Sequence, residues 1–288
     1  MTTIFFIVQG RRLEAQALLL VATLRQHNGD RFPLIAYVPD GPEALAPPTR
    51  DFLDRCGVDL RIPDPAPRPW KKPYVHGNKI LATASRRGGG HGLFLDTDMV
   101  CAAPLDLAPW QDDSIGLVPE GIASWGAEND RWARAYAHFD LPIPTDRVRL
   151  TRRKRAESLP YFNAGMILFP EGRFGAEWLE TALDIDHDLR IGGKRPWLDQ
   201  IALPLTLKRF GHRYSVMPVE YNFSISQRAP EPEARPAILH YHRFRFLADW
   251  PQYAETMRAV EQAAGPLHAR LMVEFAEELA FEADQPGA

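Results

Sequence analysis

The chain has 288 residues, is 45% hydrophobic and 25% charged, and carries a formal net charge of −3. These values suit a globular protein with a sizeable core, and the near-neutral balance argues against nucleic acid, whose partners are usually strongly basic. The cysteines, Cys56 and Cys101, lie far apart without CxxC spacing, which excludes a cysteine-rich zinc site and a disulfide framework and fits a reducing cytoplasm.

The N-terminal MTTIFFIVQG has no basic n-region and too short an apolar run for a signal peptide. No apolar run reaches the ~18 residues of a membrane span. A soluble, cytoplasmic protein is expected. Ile4–Val8 reads as a strand covered on both faces, and Glu14–Gln26 repeats apolar residues at helical spacing before the stop His27-Asn28-Gly29. A second strand at Pro33–Val38, a short helix at Thr49–Cys56 and a third strand at Val58–Ile62 complete a β-α-β-α-β start. That alternation predicts an α/β fold with a mainly parallel, Rossmann-like sheet flanked by helices, and ligand sites at the carboxyl ends of the strands.

Pro63–Pro73 is proline-rich and reads as an extended loop. A helix over Gly77–Arg87 stops at Gly88-Gly89-Gly90, and Leu93–Leu95 is the fourth strand. Further strands are predicted at Ile115–Val118, Tyr161–Phe169, Tyr214–Pro218 and Ala237–Tyr241, with a polar surface loop over Pro142–Glu157. Helices are predicted at Asp130–His138, Phe174–Leu189, Trp197–Leu207 (interrupted or ended near Pro204), Asp249–Gln262 and Leu267–Phe281. The expected organisation is one α/β domain over 1–248 with a C-terminal helical extension over 249–288. The apolar stripes of the terminal helices suit packing on the domain or on a second copy in a homo-oligomer.

The fourth strand ends in Asp96-Thr97-Asp98. Two carboxylates at the tip of an apolar strand gain nothing from folding alone, so a cation is expected there. Carboxylate oxygens completed by substrate phosphates and water suit Mg²⁺ or Mn²⁺. A solvated turn at a strand end is the other reading of a bare DxD.

Four motifs follow in order: Phe94-Leu95-Asp96-Thr97-Asp98, Phe162-Asn163-Ala164-Gly165-Met166, Trp197-Leu198-Asp199-Gln200 and Leu239-His240-Tyr241. In this order the chain resembles the GT-A fold glycosyltransferases, closest to the glycogenin and lipopolysaccharide glucosyl/galactosyltransferase group. The resemblance implies a metal-dependent transfer of a hexose from a nucleotide diphosphate sugar to a hydroxyl acceptor, with retention of configuration; the acceptor is left open, a glycan or a lipid-linked one being among those it allows. It implies that Asp96 contacts the ribose and the metal, Asp98 ligates the metal, and His240 is the third ligand. An imidazole suits a mixed N/O site, although a hydrogen-bonded core histidine would carry the same local sequence. His242 competes with His240, since the strand period places both on one face.

By the same resemblance, Asn163 lines the sugar and acceptor side of the pocket, and Asp199 with Gln200 contacts donor-sugar or acceptor hydroxyls. A strand bulge and an N-cap carboxylate are the structural alternatives. Gln9, Gly10 and Arg11 leave the first strand where this fold meets the nucleoside, and they depart from the family's Thr- or Ala-rich exit. Lys79 can reach a diphosphate as a point charge or stand as a solvated helix lysine. The family's Lys-Pro-Trp is replaced by His242-Arg243-Phe244-Arg245, so Arg243 or Arg245 is expected on the diphosphate. Arg147–Arg155 holds six basic residues among nine, suited to an anionic acceptor, a membrane surface or simple solvation. Two alternatives remain: a nucleotidyltransferase of related fold, for which Gln9-Gly10-Arg11-Arg12 is a poor phosphate loop, and a non-catalytic nucleotide-sugar-binding protein.

Overall fold

The computed structural model describes residues 1–64, 70–127, 129–152, 156–231 and 233–280. The chain opens with β1 (Thr2–Ile7), α1 (Gly10–Asn28), β2 (Leu34–Tyr37), α2 (Pro47–Arg55) and β3 (Val58–Arg61). β1 pairs β2 and β2 pairs β3, both parallel, with Ile4 opposite Leu34 and Leu34 opposite Val58. Every residue of β1 and β2 is buried, as expected of strands rich in apolar β-formers in a parallel sheet. Gly10 takes φ +74 where the chain turns from β1 into α1. α2 begins two residues before the expected Thr49 because Pro47 and Pro48 occupy the first turn, where a missing N–H costs no helical bond.

α3 (Gly77–Ala84) ends earlier than expected, at Ser85, and the three glycines that follow all take positive φ. β4 (His91–Leu95) and β5 (Met99–Cys101) lie on either side of Asp96-Thr97-Asp98. β5 is a strand that the sequence does not predict. Next come β6 (Ile115–Pro119), α4 (Arg131–His138), β7 (Val148–Arg149), β8 (Glu157–Ser158) and β9 (Phe162–Phe169). The expected loop over Pro142–Glu157 thus contains a two-rung antiparallel pair, β7 with β8; Arg153–Arg155 of its basic run, and residues 65–69 of the proline-rich loop, lie outside the described residues.

α5 (Phe174–His187) and α6 (Leu198–Phe210) follow, then β10 (Tyr214–Val216), β11 (Phe223–Ser224), β12 (Ile238–His240), α7 (Phe244–Ala248), α8 (Tyr253–Ala264) and α9 (His268–Glu274). Pro204 does not end α6, contrary to expectation. The helix continues to a left-handed Gly211, its residues from Ile201 to Leu207 all buried, so packing outweighs the one backbone bond that proline removes. α9 is shorter than the predicted helix, and Phe281 lies outside the described residues.

The chain forms two compact units. One comprises Met1–Thr3, Pro63–Phe94 and Leu107–Val219; it contains the strand order β10-β6-β9-β4, with β10 parallel to β6 and β6 antiparallel to β9, and packs α3 on α5 and α5 on α6. The other comprises Ile4–Ile62, Leu95–Asp106 and the chain from Glu220; it contains β1-β2-β3, the small sheet β11-β12-β5, and α8 packed on α1. Among the described residues no helix is long and apolar enough to cross a membrane.

α3 and α5 approach closely at Gly175, where a Cβ would collide with the Thr83 carbonyl. Gly175→Ala is expected to destabilise the protein by about 1–3 kcal/mol through overpacking, read as a lowered midpoint in thermal unfolding. An unchanged midpoint would mean that the two helices shift apart freely.

Candidate functional site

In the second unit, Asp98 and two histidines meet just before β5. β12 pairs antiparallel with β5, with His240 opposite Met99 and Leu239 opposite Val100, and the Tyr241 amide donates to the Asp98 carbonyl at 3.0 Å. This register puts the imidazole of His240 beside the carboxylate that precedes Met99. His240 Nε2 lies 3.1 Å from Asp98 Oδ1 and its Nδ1 lies 2.9 Å from Asn222 Oδ1. His242 approaches the other oxygen, with Nδ1 3.8 Å from Asp98 Oδ2. Asp98, His240 and His242 offer donor atoms that all lie within 4.8 Å of one another.

Burial works against a charged Asp98, yet the charge of His240, with hydrogen bonds from His240 and His242, outweighs it and holds the carboxyl well below the usual range. A carboxylate and imidazoles grouped in this way form a set that can hold a divalent cation. Asp96 is half-buried in the turn two residues before Asp98. The two histidines were expected on one face by strand period. They do share it, although β12 ends at His240 and His242 sits beyond the strand at φ +57.

The other expected residues of this unit are placed as follows. Gln9 precedes α1 and donates from Nε2 to Asp40 Oδ2 at 2.9 Å. Gly10 is exposed. Arg11 is drawn to the C-terminal segment: it pairs with Glu274 at 2.6 Å and Glu278 at 2.7 Å and lies over the Phe275 ring. Arg243 is exposed at the start of α7. Arg245 rests on Phe246, and its Nε is buried without a hydrogen-bond partner.

The first unit holds a separate buried network. Lys79 on α3 and Asp199 in the first turn of α6 form an ion pair, Nζ to Oδ2 3.2 Å, with side chains only 8% and 5% exposed. Lys79 is therefore not the solvated helix lysine that the sequence equally allows: it faces Asp199. Asp199 is not an N-cap either, since Trp197 occupies that position. The Tyr74 hydroxyl lies 3.0 Å from Asp199 Oδ1 and accepts the Asp199 amide at 3.1 Å. Burial, together with the Asp199 charge, pushes the Tyr74 phenol far up, so it remains a neutral donor. Arg195 covers the Tyr74 ring at 4.7 Å and is held by a two-oxygen contact with Asp186 at 2.8 and 2.9 Å.

Gln200 Oε1 accepts from the Tyr161 hydroxyl at 2.8 Å, and that hydroxyl also lies 2.7 Å from Ser124 Oγ. Asn163 bridges Glu120, from Nδ2 at 2.9 Å, and the Gly165 amide, which donates to its Oδ1 at 2.8 Å. Sequence reading did not find Asn222, Ser224, Tyr74, Tyr161 or Glu120. Each acts through another side chain, and no local spacing marks such a role. For the buried pair, Lys79→Met leaves the Asp199 carboxylate buried without its cation, and is expected to cost about 3–5 kcal/mol in urea unfolding. Adding Asp199→Asn to it should recover part of that loss. A K79M protein as stable as the parent would show that the pair holds nothing together.

A family model described as a Rhodobacterales glycosyltransferase domain matches residues 4–211. No curated protein matches the sequence. Among solved structures, the bifunctional glycosyltransferase WbbM aligns with a TM-score of 0.63 at 11% identity over 95% of this chain. The chain spans only 51% of WbbM. The galactosyltransferase LgtC, solved with donor and acceptor sugar analogues, aligns with a TM-score of 0.58 at 13% identity, covering 91% of this chain and 96% of LgtC. The glycosyltransferase GlyE of Streptococcus pneumoniae aligns with a TM-score of 0.57 at 14% identity, covering 99% of this chain and 67% of GlyE. Likeness at such identities carries the fold, which is GT-A. The family match covers well over half of the sequence, and the chain belongs to the Rhodobacterales glycosyltransferase domain family, as a GT-A type glycosyltransferase.

Proposed function

We propose that the protein moves a hexose from a nucleotide diphosphate sugar to a hydroxyl acceptor, with retention of anomeric configuration and with a divalent metal, Mn²⁺ or Mg²⁺. The observation that carries this reading is the placement of His240 against Asp98 at the end of the Asp96-Thr97-Asp98 stretch. Asp98 and His240 would hold the cation, with Asp96 toward it and the ribose. The donor set fits, being a carboxylate and an imidazole whose distal nitrogen is already hydrogen-bonded to Asn222. Bound there, the metal would supply Lewis-acid charge that neutralises the diphosphate leaving group.

The remaining roles fall to the chain's own groups. Arg245, with its orphaned Nε, and the exposed Arg243 would grip phosphate oxygens, as a guanidinium does well. Gln9 and Gly10 would meet the nucleoside at the exit of β1, while Arg11 anchors the C-terminal segment instead. Lys79 and Tyr74 would fix Asp199, and its carboxylate retains acceptor capacity beyond those two contacts for a sugar hydroxyl. Asn163 and Gln200, each held by a neighbour, would orient the sugar and the acceptor. Retention suits this arrangement. An inverting mechanism would need a free carboxylate as base, and the two oxygens of Asp199 are turned to Lys79 and Tyr74. LgtC, solved with donor and acceptor sugar analogues, offers the same kind of substrate pair on the same fold.

Calorimetry with a panel of nucleotide sugars, with and without Mn²⁺, tests the reading. One of them is expected to bind, with an affinity that falls at least tenfold on chelation of the metal and is insensitive to Mn²⁺ in Asp98→Asn. Binding of no nucleotide in the presence of metal would sink the proposal. Arg243→Ala with Arg245→Ala is expected to weaken nucleotide diphosphate binding by about tenfold or more; unchanged binding removes both arginines from the phosphate role.

A further inference from the structure

Both imidazoles beside Asp98 are braced from behind. An amide oxygen can only accept, so Asn222 Oδ1, 2.9 Å from His240 Nδ1, fixes a hydrogen on Nδ1 and turns Nε2 toward Asp98, at 3.1 Å. His242 repeats the pattern with its ring reversed: Nε2 lies 3.2 Å from Ser224 Oγ, and Nδ1 is the atom toward Asp98, at 3.8 Å. Asn222 and Ser224 are two residues apart, as are the histidines they brace. One segment carries the outer partners and the next carries the rings. A ring held at its far nitrogen while the near one faces a carboxylate is the arrangement expected of a metal-binding histidine.

The placement of His242 also takes an unusual backbone. The residue sits at φ +57, and the Arg243 amide returns to the Tyr241 carbonyl at 2.6 Å, closing a γ-turn centred on His242. Turns of this hand are rare and strained for a residue other than glycine. Arg12 braces this one by donating to the His242 carbonyl at 2.6 Å. Its result is a His242 ring whose centroid is 3.8 Å from that of His240, on the same side of Asp98.

We propose that His242 is a second imidazole ligand, so that Asp98, His240 and His242 form a nitrogen-rich donor set that takes a first-row transition dication in preference to Mg²⁺. The inference rests on the metal-dependent reading above and narrows it. Two neighbouring ligands each about 2.1 Å from a metal lie about 3 Å apart, the spacing found between Asp98 and His240, and a small swing of the His242 ring from 3.8 Å brings in the third donor. Mg²⁺ favours an all-oxygen shell and keeps its waters, whereas imidazole suits the transition metals, so each added nitrogen widens the gap.

The test uses the full chain with Mn²⁺, Co²⁺ and Mg²⁺ as probes. Calorimetric competition gives relative affinities, and electron spin-echo spectroscopy on bound Mn²⁺ counts coupled imidazole nitrogens. The unmodified chain is expected to bind Mn²⁺ and Co²⁺ at least about tenfold tighter than Mg²⁺ and to show two nitrogens. His242→Gln is expected to lose about tenfold or more in Co²⁺ affinity, to show one nitrogen, and to discriminate less against Mg²⁺. The nitrogen count on the unmodified chain decides the question even if that variant fails to fold. A single coupled nitrogen, an unaltered His242→Gln, or Mg²⁺ bound as tightly as Mn²⁺ would overturn this inference and leave the proposed function standing. Failure of the unmodified chain to bind any of the three metals would overturn both.

Discussion

The second unit depends on one antiparallel pairing. β12 meets β5 in a register that sets His240 opposite Met99, and Asp98, one residue earlier, thereby gains an imidazole on one oxygen and a second on the other. A carboxylate partly withdrawn from water at the end of a buried strand is stabilised by compensating charge or hydrogen bonds. Here that compensation comes from residues more than a hundred positions away in sequence. β11 then adds its own layer, because pairing Ser224 with His240 places the Asn222–Ser224 segment behind the two rings.

The first unit solves a similar problem by a different route. Lys79 and Asp199 are both nearly inaccessible, and a buried pair contributes little unless its remaining donors and acceptors are also satisfied. Tyr74 satisfies Asp199 twice, once at the carboxylate and once at the backbone amide, and Arg195 with Asp186 fixes the ring of Tyr74. The consequence is a rigid first turn of α6, from which Gln200 emerges already oriented by Tyr161. A site built on a helix end held in this way keeps its geometry better than one on a free loop.

Much of this architecture was legible in the residues. Apolar runs such as Ile4–Val8 and Tyr161–Phe169 announced buried strands because a strand covered on both faces has no polar positions to betray a period. The β-α-β-α-β start gave the parallel pairing that the structure contains. Asp96-Thr97-Asp98 and the late His240 were visible as charges and a titratable ring at the tips of such runs. What was not legible followed from tertiary contact. Three-residue strands like β5 carry too few residues to show periodicity. Pro204 reads as a helix breaker until packing decides otherwise, and Arg11, Lys79 and Asp199 revealed their partners only in the folded chain. The side chain of His242 could be placed on a face by counting, but the γ-turn that delivers it has no signature in the letters Tyr-His-Arg.

The shortness of the β5–β12 pairing bears on how the sequence can change length over time. Within Met99–Cys101 and Ile238–His240 the side chains alternate between faces, so gaining or losing one residue there would rotate His240 away from Asp98 and send a neighbour toward it. The connections outside those strands carry no such parity, and loops accept added length at small entropic cost. Descendants of this chain should therefore differ in length freely between β5 and β6 or between β11 and β12, while the two triplets themselves stay fixed in number even where their letters drift.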